Sequence, residues 1–407
     1  MAPLFPIVSR TNAHPVDISS AEDLRRQLSG IDIPADQWEE MADMFLFATI
    51  KLEGVDTRGA NILKALAVSL GGGIAMSQEA AEFTVRETDV LLSGSRHTLR
   101  LVAMRLKNEP YGLDAVGSEI EACIVGGRQI IRWADRILDF SRKTYVMGIL
   151  NVTPDSFFPS SRAATVKDAL KAAKEMIAAG VDIIDIGGES TRPGSETVPD
   201  DEEIRRVVPT IQALRAESNV MISVDTRKAD VAERALDAGA DIVNDISGLR
   251  HNEELARLVA RRKVPIVLMH MRGTPKTMQK SPYYKNTISE ILRELQPSIT
   301  AALAAGIEPG MIIIDPGIGF GKRIQDNLRI IKELASLKSL HFPILVGLSR
   351  KGFIGEILDR PVEKRLIGTV TANTLAILNG ANIIRVHDVA DAVEMVTIIE
   401  SVRRIGA

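Results

Sequence analysis

The feature that most restricts the fold is a repeat. From Tyr145 onward, short apolar runs alternate with amphipathic stretches of helical period. The runs are YVMGILNV (145–152), VDIIDIGG (181–188), NVMISVDT (219–226) and DIVNDIS (241–247), then VPIVLMH (264–270), GMIIIDPG (310–317), PILVGLS (343–349) and NIIRVHD (382–388). Near-continuous apolar runs of this length suit parallel strands covered on both faces. Between them, TVKDALKAAKEMIAAG (165–180) and KADVAERALDAGA (228–240) place apolar residues three and four apart, with Gly at or near the end. Eight such units in roughly 260 residues predict a (β/α)8 barrel. An open doubly wound sheet is the competing reading, and eight full units favour closure.

The runs end in chemistry-bearing residues. These are Asn151; Glu189, Ser190 and Thr191; Asp225; Asn244; His270; Asp315; Ser349, Arg350 and Lys351; and Arg385 with His387. Any one alone reads as a helix cap or a solvated turn. In a barrel the C-terminal ends of the strands converge on one face, where the active site is built. The set therefore predicts one polar bowl. The first run, extended to VMGILNVTPDSFFPSSR (146–162), ends in a polar loop that also carries Phe157 and Phe158, which a mere turn does not need.

Asp315 opens DPGIGFGK (315–322). A nucleotide loop would need Gly at Pro316 and Ser or Thr at Arg323, so that reading fails. A carboxylate at a strand tip accepts two hydrogen bonds side by side and suits a planar donor fork. Asp225, Asn244 and Lys351 would meet the remaining polar atoms of such a ring. An Asx-turn is the alternative for Asp315. Thr191, Arg192, Pro193 and Gly194 form a loop that carries an Arg toward a ligand. Arg385 and His387 stand two apart on one strand and share a face, so both can reach one anion. A helix-capping ion pair and a satisfied core histidine are their alternatives.

At 407 residues the chain has room for a barrel and a further domain. Residues 1–143 read as a smaller, mainly helical α+β domain. SSAEDLRRQLSG, ADQWEEMADMFLFATIKLEG and a segment around 115–140 look helical, and AEFTVRETDVLLSG suggests a strand pair. LGGGIAMS (70–77) lacks the Lys-Ser/Thr of a phosphate loop and reads as a mobile turn. The boundary is expected near Phe140–Thr144, with the barrel filling 144–407. A net charge of −3 excludes the global basic field of nucleic-acid binders. The single cysteine, Cys123, excludes an internal disulfide and is expected to be a buried structural thiol. No apolar stretch reaches the roughly 20 residues of a membrane span, and the N-terminus does not read as a signal peptide. A cytoplasmic protein is expected.

MGILNVTPDSFFPSSR, DIIDIGGESTRPGS, ISVDTRKADVAERALDAGADIVNDISG, VPIVLMHMRGTPKTMQ, IIIDPGIGFGK, LVGLSRKGFIG and IIRVHDV closely resemble the dihydropteroate synthases, in that family's order and spacing. The likeness covers about 144–407. ILKALAVSLGGGIAM and LLSGSRHTLRLVAMRLKNEPYGL are similar to an extra domain that precedes the barrel in some members. The resemblance implies condensation of (7,8-dihydropterin-6-yl)methyl diphosphate with 4-aminobenzoate, giving 7,8-dihydropteroate and diphosphate. It implies that Asp315, Asp225, Asn244 and Lys351 hold the pterin, and that Asn151 ligates a Mg²⁺ bound to diphosphate. Thr191, Arg192, Arg385 and His387 would grip the diphosphate, and Phe320 with Lys351 would flank the aminobenzoate. Asp155, Phe157 and Phe158 would help complete the site from a mobile lid. The arylamine is neutral, so no dedicated general base is expected. A homodimer formed by barrel helices is expected, with small-molecule substrates only.

The chain departs from many members at Gly352, where they have Ser near the aminobenzoate carboxylate. Function should survive through the backbone N–H, while affinity for aminobenzoate and sulfonamide mimics is left open. Two other readings compete: a pterin-binding methyltransferase serving a corrinoid protein, and a non-catalytic pterin binder. The first has no use for a diphosphate grip. The second is expected to have lost Asn151, Arg192 or Arg385, all of which are present.

Overall fold

The computed structural model describes Val16, Ile18 and residues 21–125, 130–152, 165–190, 197–274, 277–278 and 281–404. The chain divides into two compact units, with the break after Val125.

The first unit has six helices, α1 (Ala21–Ser29), α2 (Trp38–Phe45), α3 (Thr57–Ser69), α4 (Gln78–Ala81), α5 (Arg96–Leu106) and α6 (Leu113–Ile124). Its strands are β1 (Phe47–Asp56), β2 (Gly73–Ala75) and β3 (Glu87–Ser95), paired antiparallel in the order β1-β3-β2. Ile50, Leu52, Val90 and Leu92 alternate with exposed positions and bury one sheet face among Leu63, Leu99, Val102, Leu106 and Ile120. Four expectations change here. The segment 47–56 is a strand rather than a helical tail, because its period is two. AEFTVRETDVLLSG supplies one strand, not a pair. The triple glycine leads from α3 into the edge strand β2. Cys123 is exposed on α6 rather than buried.

The second unit begins with a hairpin, β4 (Ile130–Trp133) and β5 (Arg136–Asp139), where the sequence suggested helix. Ala134, at φ 45°, turns it. Eight parallel strands follow: β6 (Tyr145–Asn151), β7 (Ile183–Gly187), β8 (Met221–Asp225), β9 (Ile242–Asp245), β10 (Ile266–Met269), β11 (Ile312–Asp315), β12 (Leu345–Val346) and β13 (Ile383–Val386). They run in the order β11-β10-β9-β8-β7-β6-β13-β12. A single parallel bridge, Ile314 with Ile344, joins the two ends and closes the barrel. The helices between them are α7 (Val166–Ala178), α8 (Asp200–Glu217), α9 (Ala229–Asp237), α10 (Glu253–Arg262), α11 (Thr287–Ala304), α12 (Ile324–Lys332), α13 (Gly352–Leu358), α14 (Leu366–Leu378) and α15 (Val389–Arg403). Side chains of Thr165, Asn252 and Asn286 accept from first-turn N–H groups and start α7, α10 and α11.

Alternation splits each strand between two cores. Val146, Ile184, Val224, Val243, Leu268, Ile314 and Ile384 pack outward with the helices. Tyr145, Met147, Ile183, Ile242, Val267, Ile313, Leu345 and Ile383 fill the lower interior. The hairpin belongs to that interior core, through Ile131, Trp133 and Leu138, with Phe140 just behind. The Asp139 N–H donates to the Tyr145 hydroxyl at 2.7 Å, and Phe140 meets the Tyr145 ring edge-on. Arg136 donates to the Asn219 carbonyl at the approach to β8. The contacts thus set the boundary near residue 125, ahead of the 143/144 division read from the sequence. The hairpin's apolar side chains have their partners in the barrel floor.

Candidate active site

Two residues beyond the apolar floor, the inward positions turn polar. Ile183 is followed by Asp185, Met221 by Ser223 and Asp225, Ile242 by Asn244, Ile313 by Asp315 and Ile383 by Arg385. Register levels them: Asp185 lies opposite Ser223, and Asp225 opposite Asn244. Asp185 is 0% exposed. Its Oδ2 accepts from Arg385 Nε at 2.6 Å and from Asn244 Nδ2 at 3.0 Å. Arg385 Nη2 donates to Asp225 Oδ2 at 2.6 Å. One guanidinium thus bridges carboxylates on neighbouring strands, and each buried charge has a partner. Burial disfavours the Arg385 cation, but Asp185 and Asp225 outweigh it. Burial drives the Asp225 carboxyl up to about 7 against the pull of Arg385, with Asp185 adding to the rise.

Asp315 ends β11 and is buried. Its Oδ1 accepts from the Gly317 N–H at 2.6 Å, so the Asx-turn reading holds for that oxygen. The glycines that follow are set by backbone contact. Gly317 has φ +67°, and a Cβ there would lie 1.9 Å from the His270 carbonyl oxygen. At Gly321, also φ +67°, a Cβ would lie 2.3 Å from the Arg272 carbonyl oxygen. DPGIGFGK is thus a loop pressed against the end of β10. Burial raises the Asp315 carboxyl to about 6, opposed by the Gly317 N–H, Lys351, Lys322 and Arg385. Burial lowers Lys351 to about 8, with Asp315 working the other way. Lys351 Nζ sits 4.3 Å from the centre of the Phe320 ring, a cation–π contact at the pocket edge.

Asn151 is the last residue of β6, half-buried and paired in register with Gly187 of β7. A Cβ at Gly187 would come within 3.7 Å of its Oδ1. His387 stands one residue past β13, and its Nδ1 lies 2.9 Å from Ser349 Oγ. Arg385 reaches the carboxylates inside the barrel, while His387 meets the neighbouring strand end. Asp155, Thr191 and Arg192 lie outside the described residues, as do Phe157 and Phe158.

Other strand-end residues belong to the scaffold. Arg350 binds Asp388 at 2.8 and 2.7 Å and donates to the Val362 and Glu363 carbonyls. Glu189 pairs with Arg227 at 2.8 Å and Lys228 at 2.9 Å. Lys228 also bonds the buried Glu203 at 2.7 Å, which ties the ends of β7 and β8 to the start of α8.

The residue reading missed Asp185 and Lys322. Asp185 is the lone charge inside IIDIG, two positions from an inward Ile. Period-two alternation puts it on the face of Ile183, but that this face is a closed interior shows only once the barrel closes. Lys322 was seen only as part of a motif that fails as a nucleotide loop.

The model of the pterin binding enzyme family matches residues 147–387. A dihydropteroate synthase of Synechocystis sp. is 49% identical over 254 residues, spanning 62% of this chain and 88% of that protein. A probable bifunctional folylpolyglutamate synthase/dihydropteroate synthase of Haloferax volcanii is 37% identical over 390 residues. That match takes in 93% of this chain and 46% of the archaeal one, so it extends into the first unit. The structure of Xanthomonas albilineans dihydropteroate synthase with 4-aminobenzoic acid aligns with a TM-score of 0.63 at 43% identity, covering 68% of this chain and 98% of that one. With more than half its length matched by the family model, the chain belongs to the pterin-binding enzymes, as a dihydropteroate synthase.

Proposed function

We propose that the chain joins 4-aminobenzoate to (7,8-dihydropterin-6-yl)methyl diphosphate by losing diphosphate first. The observation that carries this reading is the ring of buried Asp225, Asn244 and Asp315 with half-buried Arg385 on inward strand positions, and Lys351 beside it. A flat heterocycle with adjacent donors fits a buried carboxylate of this kind. Asp315 would take the aminopyrimidine edge, with Asp225, Asn244 and Lys351 completing the contacts. Loss of diphosphate leaves a cation delocalised into the pterin. The protein's work is to hold the ring and to bind the leaving anion. Arg385, His387, Thr191 and Arg192 would bind the diphosphate. Phe320 and Lys351 would flank the arylamine, and the loop with Asp155 would complete the site. The arylamine attacks as a neutral nucleophile, so no side chain need remove its proton beforehand.

Asn151 fits a Mg²⁺ role. Its carboxamide oxygen is a hard donor at a half-buried strand tip, with no side chain on the neighbouring Gly187 to cover it. Among the described residues no cluster of three or more His, Cys, Asp or Glu could hold a metal. Asn151 would thus serve beside diphosphate oxygens and water, a set Mg²⁺ commonly accepts. Bound there, the ion would neutralise charge on the leaving group.

The test is diphosphate release by the purified protein with Mg²⁺ and the dihydropterin diphosphate, with and without 4-aminobenzoate. Aminobenzoate-dependent dihydropteroate supports the reading; a folded protein that binds the pterin and releases nothing overturns it. Methyl transfer to a corrinoid protein finds no support in the relatives, whose names include dihydropteroate synthase. In the same assay, Arg385→Ala should weaken the diphosphate substrate roughly 10- to 100-fold, the worth of one charge-assisted hydrogen bond. The bare pterin alcohol should lose much less. Equal losses for both ligands would remove the anion role.

The proposed homodimer would form through α14 and α15. Ile367 is 81% exposed and Ile398 66%, with Leu378 and Val402 also bare. Bare apolar side chains on adjacent helices support association through this face. Ile367→Glu with Ile398→Glu should turn a dimer into a monomer in analytical ultracentrifugation; an unchanged mass would move the interface elsewhere. Among the described residues no helix is long and apolar enough to cross a membrane. The proposed site of action is the cytoplasm.

A further inference from the structure

Beside the pocket, a chain of titratable side chains runs inward from α11. Glu294 Oε2 lies 2.9 Å from His270 Nε2. His270 Nδ1 lies 2.9 Å from Lys322 Nζ, and Lys322 also donates to the Phe320 carbonyl at 3.1 Å. His270 and Lys322 are 2% and 4% exposed. With Lys322 donating to Nδ1, the imidazole is neutral and its Nε2–H points to Glu294. Glu294 is already paired with Arg272, which also binds Glu290. The acceptors on Lys322 are therefore an imidazole nitrogen and a carbonyl oxygen, both neutral. A buried ammonium held this way needs a compensating anion. The buried carboxylate next to this pair is that of Asp315, whose backbone carbonyl accepts from the His270 N–H at 2.8 Å and whose ionised form Lys322 and Lys351 both favour.

We propose that Lys322 is a positioning residue: clamped between His270 and the Phe320 carbonyl, it supplies the second positive charge against which Asp315 accepts the pterin's donors. The inference rests on the reading of Asp315 as the pterin-holding carboxylate. The charges that favour the Asp315 carboxylate are Lys322 on its own loop, Lys351 at the start of α13 and Arg385 on β13, beside the Gly317 N–H that donates to it. Around Lys322, Asp315 and Glu294 of α11 favour its cation, whereas Arg272 after β10 and Lys351 oppose it.

The sign follows from ionisation. Only the carboxylate form of Asp315 accepts two donors, so its share of pterin binding is full above its pKa and is lost as pH drops through about 6, whereas Asp225 titrates near 7 in wild type and variant alike. Without the Lys322 charge, Asp315 protonates at higher pH. Lys322 itself is lowered by burial to about 7, so above that pH its removal changes little.

The experiment measures the Kd of the bare dihydropterin alcohol for the full chain by calorimetry, from about pH 5 to about pH 8. In Lys322→Met the acid limb should move up by about one unit, which means about tenfold weaker binding near pH 6 and little change near pH 8. A uniform loss at every pH, with the limb in place, would show that Lys322 only packs the loop. No change at all would also overturn the proposal. If the Met variant does not fold, Lys322→Gln keeps a donor for His270 and carries the same test. His270→Gln retains the cation and should leave the limb where it is. Asp315→Asn separates the two readings: normal pterin binding there sinks the pocket assignment, not the Lys322 argument alone.

Discussion

Asp315→Ala is expected to reduce binding of the bare dihydropterin alcohol by roughly 100- to 10,000-fold. The mutation removes two charge-assisted hydrogen bonds, each worth about 1.5–3 kcal/mol. It also leaves the pterin's donors facing a dry pocket, where unpaired groups are costly. Calorimetry on the wild type and variant gives the answer directly. The turn at Gly317 also loses its acceptor, so thermal unfolding is measured alongside. A folded variant that binds the pterin like wild type would remove Asp315 from the pocket.

The second large effect concerns the hairpin before the barrel. A chain starting at residue 126 should fold and keep turnover, whereas one starting at residue 144 should not fold stably. The shorter chain lacks Ile131, Trp133, Leu138 and Phe140, which belong to the core of the barrel floor. At about 1.5–3 kcal/mol per large buried side chain, the loss is roughly 6–12 kcal/mol. That rivals the whole stability of an ordinary domain, about 5–15 kcal/mol. Trp133→Ala alone should cost about 3–5 kcal/mol in urea unfolding. If the chain from residue 144 unfolds at the same urea concentration as the chain from 126, the hairpin is not part of the barrel core.

The barrel was legible because its strands are buried on both faces, which writes them as near-continuous apolar runs. The strand-tip residues were legible for a related reason, since polar groups at the ends of such runs stand out. Asp185 was not, because its partners lie 200 residues away at Arg385 and 59 at Asn244. Whether a charge inside a strand faces a helix or a closed interior is decided only when the barrel closes. The constraint on Gly317 and Gly321 is the carbonyl of a neighbouring loop, which no local pattern in DPGIGFGK reveals. In the first unit, MADMFLFATIKL carries apolar residues that satisfy helical and alternating spacing at once. Pairing with β3 selects the strand from Phe47 onward. The hairpin strands are four residues each, too short for periodicity to separate helix from strand.

The barrel is closed by one bridge, Ile314 with Ile344, whereas β6 and β7 share five register pairs. That seam lies between the strand leading to Asp315, Phe320 and Lys322 and the strand leading to Lys351. A pterin held by Asp315 and Lys351 would stitch the cylinder along its weakest line. Substrate occupancy and resistance to unfolding then become two readings of one equilibrium, since a ligand that binds only the closed form stabilises it by mass action. A cell short of pterin would hold a looser enzyme as well as an idle one.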